Sequence, residues 1–169
     1  MEGDSKVVGA DVGFGGGLGL QLLLDAVGPD GHVHGVELSN TMLAAAHRRH
    51  RSEMAAGRMT LVAGLLQGLP LEDSTVDGLI TVNTLYFVDD VGAVFRELAR
   101  VLRPLGRAVI GIGDLAAMAD MPVTRHGFRL RSPGELVEGL TAVGLGVRHE
   151  RLGNDSRAFH LLVATREVA

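Results

Sequence analysis

Strand-like and helix-like segments alternate along the 169 residues, and this alternation predicts an α/β fold in which helices cover both faces of a doubly wound, mostly parallel sheet. A second observation is the stretch ADVGFGGGLGL at 10–20, which packs five glycines into eleven positions at the end of the first apolar run. Glycine at that density is costly inside a helix or strand, so it marks a sharp turn, a left-handed backbone or a close approach to a ligand. Third, 46% hydrophobic and 21% charged content suits a single globular domain over 1–169 with a full core.

The elements follow in order. KVVGADV at 6–12 is β-branched and apolar, hence a buried strand, and LGLQLLLDAV at 18–27 has helical apolar spacing that GPDG at 28–31 ends. HVHGVEL is the second strand. Ser39 and Asn40 cap a helix over about 40–56, with Met42, Ala45 and Ala46 expected on its inner side. RMTLVAG and DGLITVN are strands 3 and 4. In VGAVFRELARVL, Val94, Leu98 and Val101 or Leu102 form a core stripe, and Pro104 with Gly106 is expected to separate that helix from strand 5, RAVIGIG. Ser132 and Pro133 start a helix to about 143, and VRHERL and AFHLLVATR flank GNDS as a hairpin. The expected total is seven strands with five helices or fewer.

Composition excludes several classes. There is no cysteine, so disulfides and thiolate metal sites are ruled out. No charge-free stretch approaches the roughly 18 residues of a membrane span, and MEGDSK lacks the apolar region of a leader, so a cytoplasmic protein without a membrane partner is expected. A net charge of -4 argues against a nucleic-acid partner, and HRRHR at 47–51 reads as a solvated helix face. His32 and His34 share a strand face without a third ligand in reach, and His47 and His50 lie in a basic run that repels cations, so no metal site is expected.

In a doubly wound sheet the ligand sits beyond the carboxyl ends of the strands beside strand 1, where the glycine loop falls. A dinucleotide fingerprint would need glycine at 18, where the chain has Leu18. The residues follow an acidic-x-G-x-G-x-G pattern instead, Asp11, Gly13, Gly15 and Gly17, which resembles motif I of class I S-adenosylmethionine-dependent methyltransferases. The resemblance runs on through HGVELSNTMLAAA, GLLQGLPLEDSTVDGLITVNTLYFVDD and ELARVLRPLGRAVIG. It implies a Rossmann-like seven-stranded sheet of order 3-2-1-4-5-7-6 with an antiparallel last hairpin, S-adenosyl-L-methionine as cofactor, and methyl transfer to a small-molecule acceptor. It also implies the cofactor-binding residues: Asp11, Gly13 and Gly15 in the loop; Glu37, accepting from the ribose hydroxyls, with Leu38 and Met42; Gly64, Leu65 and Leu66 around the adenine; and Asn83 toward the methionine end.

Departures from the family pattern are Leu65, where an aspartate often contacts the adenine amino group, Phe14 for a small residue, and Leu105 for a glycine. Strand 1 also begins within about six residues of Met1, where the family usually carries a lid helix. That suggests a lid supplied by a second subunit in a homodimer, an open site, or a shortened chain. At the acceptor end, Tyr86 and His126 are the candidate catalytic residues, with Tyr86 lining the substrate pocket; Asp89 and Asp90 suit an N-cap; and Met118, Met121 and Phe128 are candidates for an apolar pocket or for core filling. The other functional readings are a non-catalytic binding or interaction domain of this fold and an NAD-dependent oxidoreductase.

Overall fold

The structure, a computed structural model, describes residues 6–119, 121–122, 127–154 and 158–168. Strands β1 (Val8–Val12), β2 (His32–Glu37), β3 (Met59–Ala63), β4 (Val76–Val82), β5 (Leu102–Gly113), β6 (Leu145–Leu152) and β7 (Phe159–Arg166) form one sheet of order β3-β2-β1-β4-β5-β7-β6. The first five pair in parallel, while β7 runs antiparallel to both β5 and β6. Both the strand order and the antiparallel hairpin are as expected.

The helices are α1 (Leu18–Ala26), α2 (Asn40–Arg49), α3 (Arg51–Ala55), α4 (Val91–Val101), α5 (Leu115–Ala119) and α6 (Pro133–Ala142). Neighbouring residues of a strand face opposite sides of the sheet, and β4 shows how both are covered. Leu79 belongs to the cluster built around Val94, Phe95 and Leu98 of α4. Ile80 lies against α1, its Cδ1 2.6 Å from where a Cβ at Gly19 would sit. Buried on both faces, β1 is apolar as a central parallel strand should be, except at Asp11. Ser132 and Glu135 close a capping box that spans Pro133 at the first helical position, which fixes the start of α6.

Three expectations are corrected. The helix over 40–56 is broken at His50 into α2 and α3, and with α5 this gives six α-helices among the described residues. Its inner stripe is Leu43, Ala46 and His50, while Met42 is exposed. Residues 43, 46 and 50 recur at helical spacing, so Ala46 faces inward as expected while Met42 is one residue, about 100°, out of phase. Lastly, β5 starts at Leu102, directly after α4, because Leu102 pairs with Val76 before the register jumps to Gly78 and Arg107. Pro104 and Gly106 therefore sit in a bulge within the strand rather than ahead of it.

At that bulge Leu105 is exposed with φ +66°. Its side chain thus occupies backbone that favours glycine, and leucine there costs about 1–2 kcal/mol. Leu105→Gly is expected to raise stability by up to about 1 kcal/mol, after the glycine's larger unfolded-state entropy is subtracted. Chemical denaturation checks this: a midpoint that is unchanged or lower would show that Leu105 packing outweighs its backbone cost.

Candidate functional site

The carboxyl ends of β3, β2, β1 and β4 open on a cavity of about 420 Å³. Gly13 and Gly15 follow β1; Glu37 and Leu38 end β2; Gly64, Leu65, Leu66 and Gln67 follow β3; and Val82, Asn83, Thr84, Phe87 and Val88 come from the end of β4 and beyond. Glu37 is the only one of these lining residues with an ionisable side chain.

The glycine loop is held by short bonds. Gly13, Gly15 and Gly17 all have left-handed backbones, at φ +72°, +49° and +82°, and Gly17 is the N-cap of α1. Gly13 N–H donates to Val36 O (2.7 Å), Gly17 N–H to Phe14 O (2.8 Å), and Arg49 Nη1 to Gly16 O (2.7 Å). No atom lies within 4 Å of the position a Cβ would take at Gly15, so the loop leaves open the cavity wall at that point. The loop thus serves turn geometry and open space together.

Glu37 joins this loop to the next one. Its Oε2 accepts from Gly15 N–H (2.8 Å), and its Oε1 accepts from Leu38 N–H (2.8 Å) and Ser39 N–H (2.9 Å). A carboxylate offers about four acceptor positions. Three are taken, which leaves one, on Oε2, for a ligand.

Asp11 lies behind the loop. It is buried, outside the cavity lining, and a Cβ at Gly19 would sit 2.2 Å from its Oδ2, so Gly19 makes room for the carboxylate under the first turn of α1. Burial and then the Glu37 charge push its pKa up to about 7.

At the β4 end, Asn83 holds φ +57°, a conformation asparagine tolerates better than most residues, and its N–H donates to Gly111 O (2.9 Å). Tyr86 is buried, and its hydroxyl accepts from Gly113 N–H (2.6 Å) while donating to Asn83 Oδ1 (3.2 Å). Burial raises its pKa, opposed in part by the Gly113 bond. Tyr86 therefore does not line the cavity, and its hydroxyl is already committed, against the expectation of a pocket-lining or catalytic tyrosine.

Of the ten residues assigned to the cofactor from sequence, eight line the cavity: Gly13, Gly15, Glu37, Leu38, Gly64, Leu65, Leu66 and Asn83. Asp11 and Met42 do not; Met42 sits exposed on the first turn of α2, the consequence of the helix phase corrected above. Asp90 caps α4 by accepting from Ala93 N–H (2.9 Å), as expected, and Asp89 pairs with Arg129. Phe128 packs on Tyr86, and Met118 is partly buried against the main core. His126 lies outside the described residues. Sequence reasoning missed Gln67, Val82, Thr84, Phe87 and Val88, for which proximity to the end of strand 4 was the available signal, and Arg49, hidden in a run that reads as solvated.

A seven-stranded sheet of this order with a glycine loop at the β1 switch point defines the class of Rossmann-like methyltransferase folds. Residues 10–110 match the family model described as a methyltransferase domain, and the chain belongs to that family, the class I S-adenosylmethionine-dependent methyltransferases. It is 33% identical over 112 residues to an arsenite methyltransferase of Halobacterium salinarum, covering 66% of this chain and 28% of that protein. With O-methyltransferase rstn1 of Aspergillus nomiae it shares 31% identity over 112 residues, 66% of this chain and 48% of the other. The match thus spans less than half the length of either curated relative. Among solved structures, a SAM-dependent methyltransferase from Aquifex aeolicus superposes with a TM-score of 0.77 at 20% identity, over 96% of this chain and 83% of that one, a likeness of fold.

The raised Asp11 pKa has a stability consequence. A carboxyl that is harder to ionise in the folded state makes stability fall as pH rises from its ordinary 3.8 to about 7 and level off above. Asp11→Asn removes the ionisation, so its stability relative to the parent is expected to grow across that interval and to be greatest above pH 7. Thermal denaturation of both proteins between pH 4 and 8 checks it; a difference independent of pH would rule out a strained carboxylate at Asp11.

Proposed function

We propose that the chain is a single S-adenosylmethionine-dependent methyltransferase domain that methylates a small molecule. The observation that carries this reading is the cavity itself, which runs across β3, β2, β1 and β4 with Glu37 beside an open glycine loop. Four neighbouring strands span three inter-strand spacings, about 14 Å, a length suited to an extended nucleoside ligand lying across the strand ends. Gly15 leaves room on the loop side, Glu37 keeps one acceptor position for a ribose hydroxyl, and Leu38, Leu65 and Leu66 offer apolar surface to a base. Together these residues fit the cofactor.

When bound, S-adenosylmethionine would supply an electrophilic methyl on a cationic sulfur: the acceptor's lone pair would bond to that carbon, the carbon–sulfur pair would stay on the departing neutral sulfide, and any proton on the acceptor atom would pass to water. The protein's part is to bind, align and desolvate. The Glu37 carboxylate places a negative charge at this end of the sheet, which favours a cationic ligand. Tyr86 fixes the Asn83 amide at the cavity wall by holding its Oδ1. No general base is assigned, since the tyrosine hydroxyl is buried and twice bonded. Small size of the acceptor is supported by the arsenite methyltransferase among the relatives and by the cavity volume.

Calorimetry with S-adenosylhomocysteine and NAD tests the reading. Saturable binding of the first and none of the second is expected, and Glu37→Ala is expected to weaken that binding by about 1.5–3 kcal/mol, the range for hydrogen bonds to a charged group. NAD binding, or no binding of S-adenosylhomocysteine to the folded chain, would overturn it.

Cytoplasmic action and homodimerisation belong to the same proposal. For the homodimer, the support is that Leu38, Leu65, Val82 and Phe87, which line the cavity, are more than a third exposed, so that its mouth stays open to water unless a second subunit closes over the bound ligands. A second subunit over them would exclude water from the transfer. Sedimentation equilibrium at micromolar protein, with and without S-adenosylhomocysteine, is expected to show a dimer; a single species of 17.8 kDa in both would eliminate it.

A further inference from the structure

Aromatic side chains are scarce in this protein: five phenylalanines, one tyrosine and no tryptophan. Three of the six gather at one end of the cavity. Tyr86 and Phe128 stack with ring centres 5.6 Å apart, and Phe87 stands across both, 4.9 Å from Phe128 and 6.4 Å from Tyr86. Phe87 lines the cavity yet is 65% exposed, and Val82 beside it is 44% exposed. Neither ring lies parallel to Phe87, which leaves ring surface for a ligand.

This wall is held in place. Leu85–Phe87 forms a single 3₁₀ turn after β4. Arg131 donates to Leu85 O (3.0 Å), Val88 O (2.8 Å) and Asp89 O (3.0 Å), and Arg129 N–H donates to Tyr86 O (2.8 Å). The segment carrying Phe128 is thereby stapled to the one carrying Phe87. An exposed phenylalanine on a clamped turn is a preformed surface, and a preformed surface loses little freedom when a ligand docks.

Charge is consumed locally. Asp89 pairs with Arg129 at 2.5 Å, and Asp90 is taken up by Ala93 N–H and Arg96. Glu37, the one ionisable side chain among the described lining residues, ends β2, two strands from β4 and about 10 Å away by strand spacing. A charged acceptor would find no partner among the described lining residues at the Phe87 end, whereas a flat apolar ring would find Val82, Phe87 and Val88.

We propose that this wall is the acceptor subsite, and that the acceptor is an uncharged planar aromatic molecule whose ring lies against Phe87 with its reacting atom toward Asn83. The proposal rests on the reading of the cavity as a cofactor site, and the step is the displacement given above, with the acceptor atom's proton released to water.

The test uses the full chain and begins with S-adenosylhomocysteine calorimetry, so that failure of the cofactor reading registers separately. The saturated complex is then titrated with 2-naphthol and with its fully reduced counterpart, decahydro-2-naphthol, by ligand-observed nuclear magnetic resonance. Naphthol is expected to bind about tenfold more tightly than the non-planar alcohol, Phe87→Ala to lose about tenfold in naphthol affinity, and Phe87→Tyr to keep it. Equal binding of the two alcohols, an unchanged naphthol affinity in Phe87→Ala, or equal losses of naphthol and S-adenosylhomocysteine in that variant would each overturn the proposal, the last by pointing to a collapsed cavity.

Discussion

The carboxylate of Glu37 ties together the parts of the molecule that a ligand would meet. It takes an amide hydrogen from Gly15 on the loop after β1 and two more from Leu38 and Ser39 at the end of its own strand. The glycine loop, whose left-handed residues give it little intrinsic preference, is thus anchored from the side. The same bonds set Ser39 in place, and Ser39 in turn caps α2. From α2, Arg49 returns to the loop carbonyl at Gly16, closing a circuit from β2 through α2 back to the loop. Loss of the carboxylate would loosen the loop, the cap and the ligand contact at once.

A second circuit holds the other half of the cavity. Tyr86 bridges the ends of β4 and β5: its hydroxyl accepts from the Gly113 N–H and donates a hydrogen bond to Asn83 Oδ1. Thr81 completes the connection toward β1, donating to Val12 O at 2.8 Å and lying 2.6 Å from the Thr84 hydroxyl. The carboxyl ends of β1, β4 and β5 are therefore crosslinked by side chains just beyond the point where their ladder bonds stop. Such buried, fully used polar groups favour one arrangement over its near neighbours, because any shift leaves a donor or acceptor unpaired.

Much of this was legible in the sequence, where local chemistry and global pattern agree. The glycine loop, the acid ending strand 2, the Ser132-Pro133 start of α6 and the alternating elements each have a local cause, and the fold respects them all. What escaped notice depends on contacts distant in sequence. Tyr86 looks like any aromatic after a strand, and only the position of Gly113, 27 residues on, commits its hydroxyl. Arg49 reads as part of a solvated basic run because the carbonyl it serves is 33 residues away. Met42 was misplaced because one residue of helix phase suffices to turn a side chain off the inner face. The early start of β5 escaped because proline and glycine, usual signs of a boundary, here form a bulge inside the strand.

The scarcity of aromatic residues has an optical consequence. With no tryptophan and a single tyrosine, the protein's intrinsic ultraviolet emission originates at Tyr86. That chromophore is buried, bonded through its hydroxyl to two strand ends, and stacked on Phe128. Most proteins blend signals from many fluorophores, but here the natural spectrum reports from one point, the joint between β4 and β5 beside the cavity wall. Events that strain or relax that joint can be followed in the unlabelled protein, without introducing a foreign reporter.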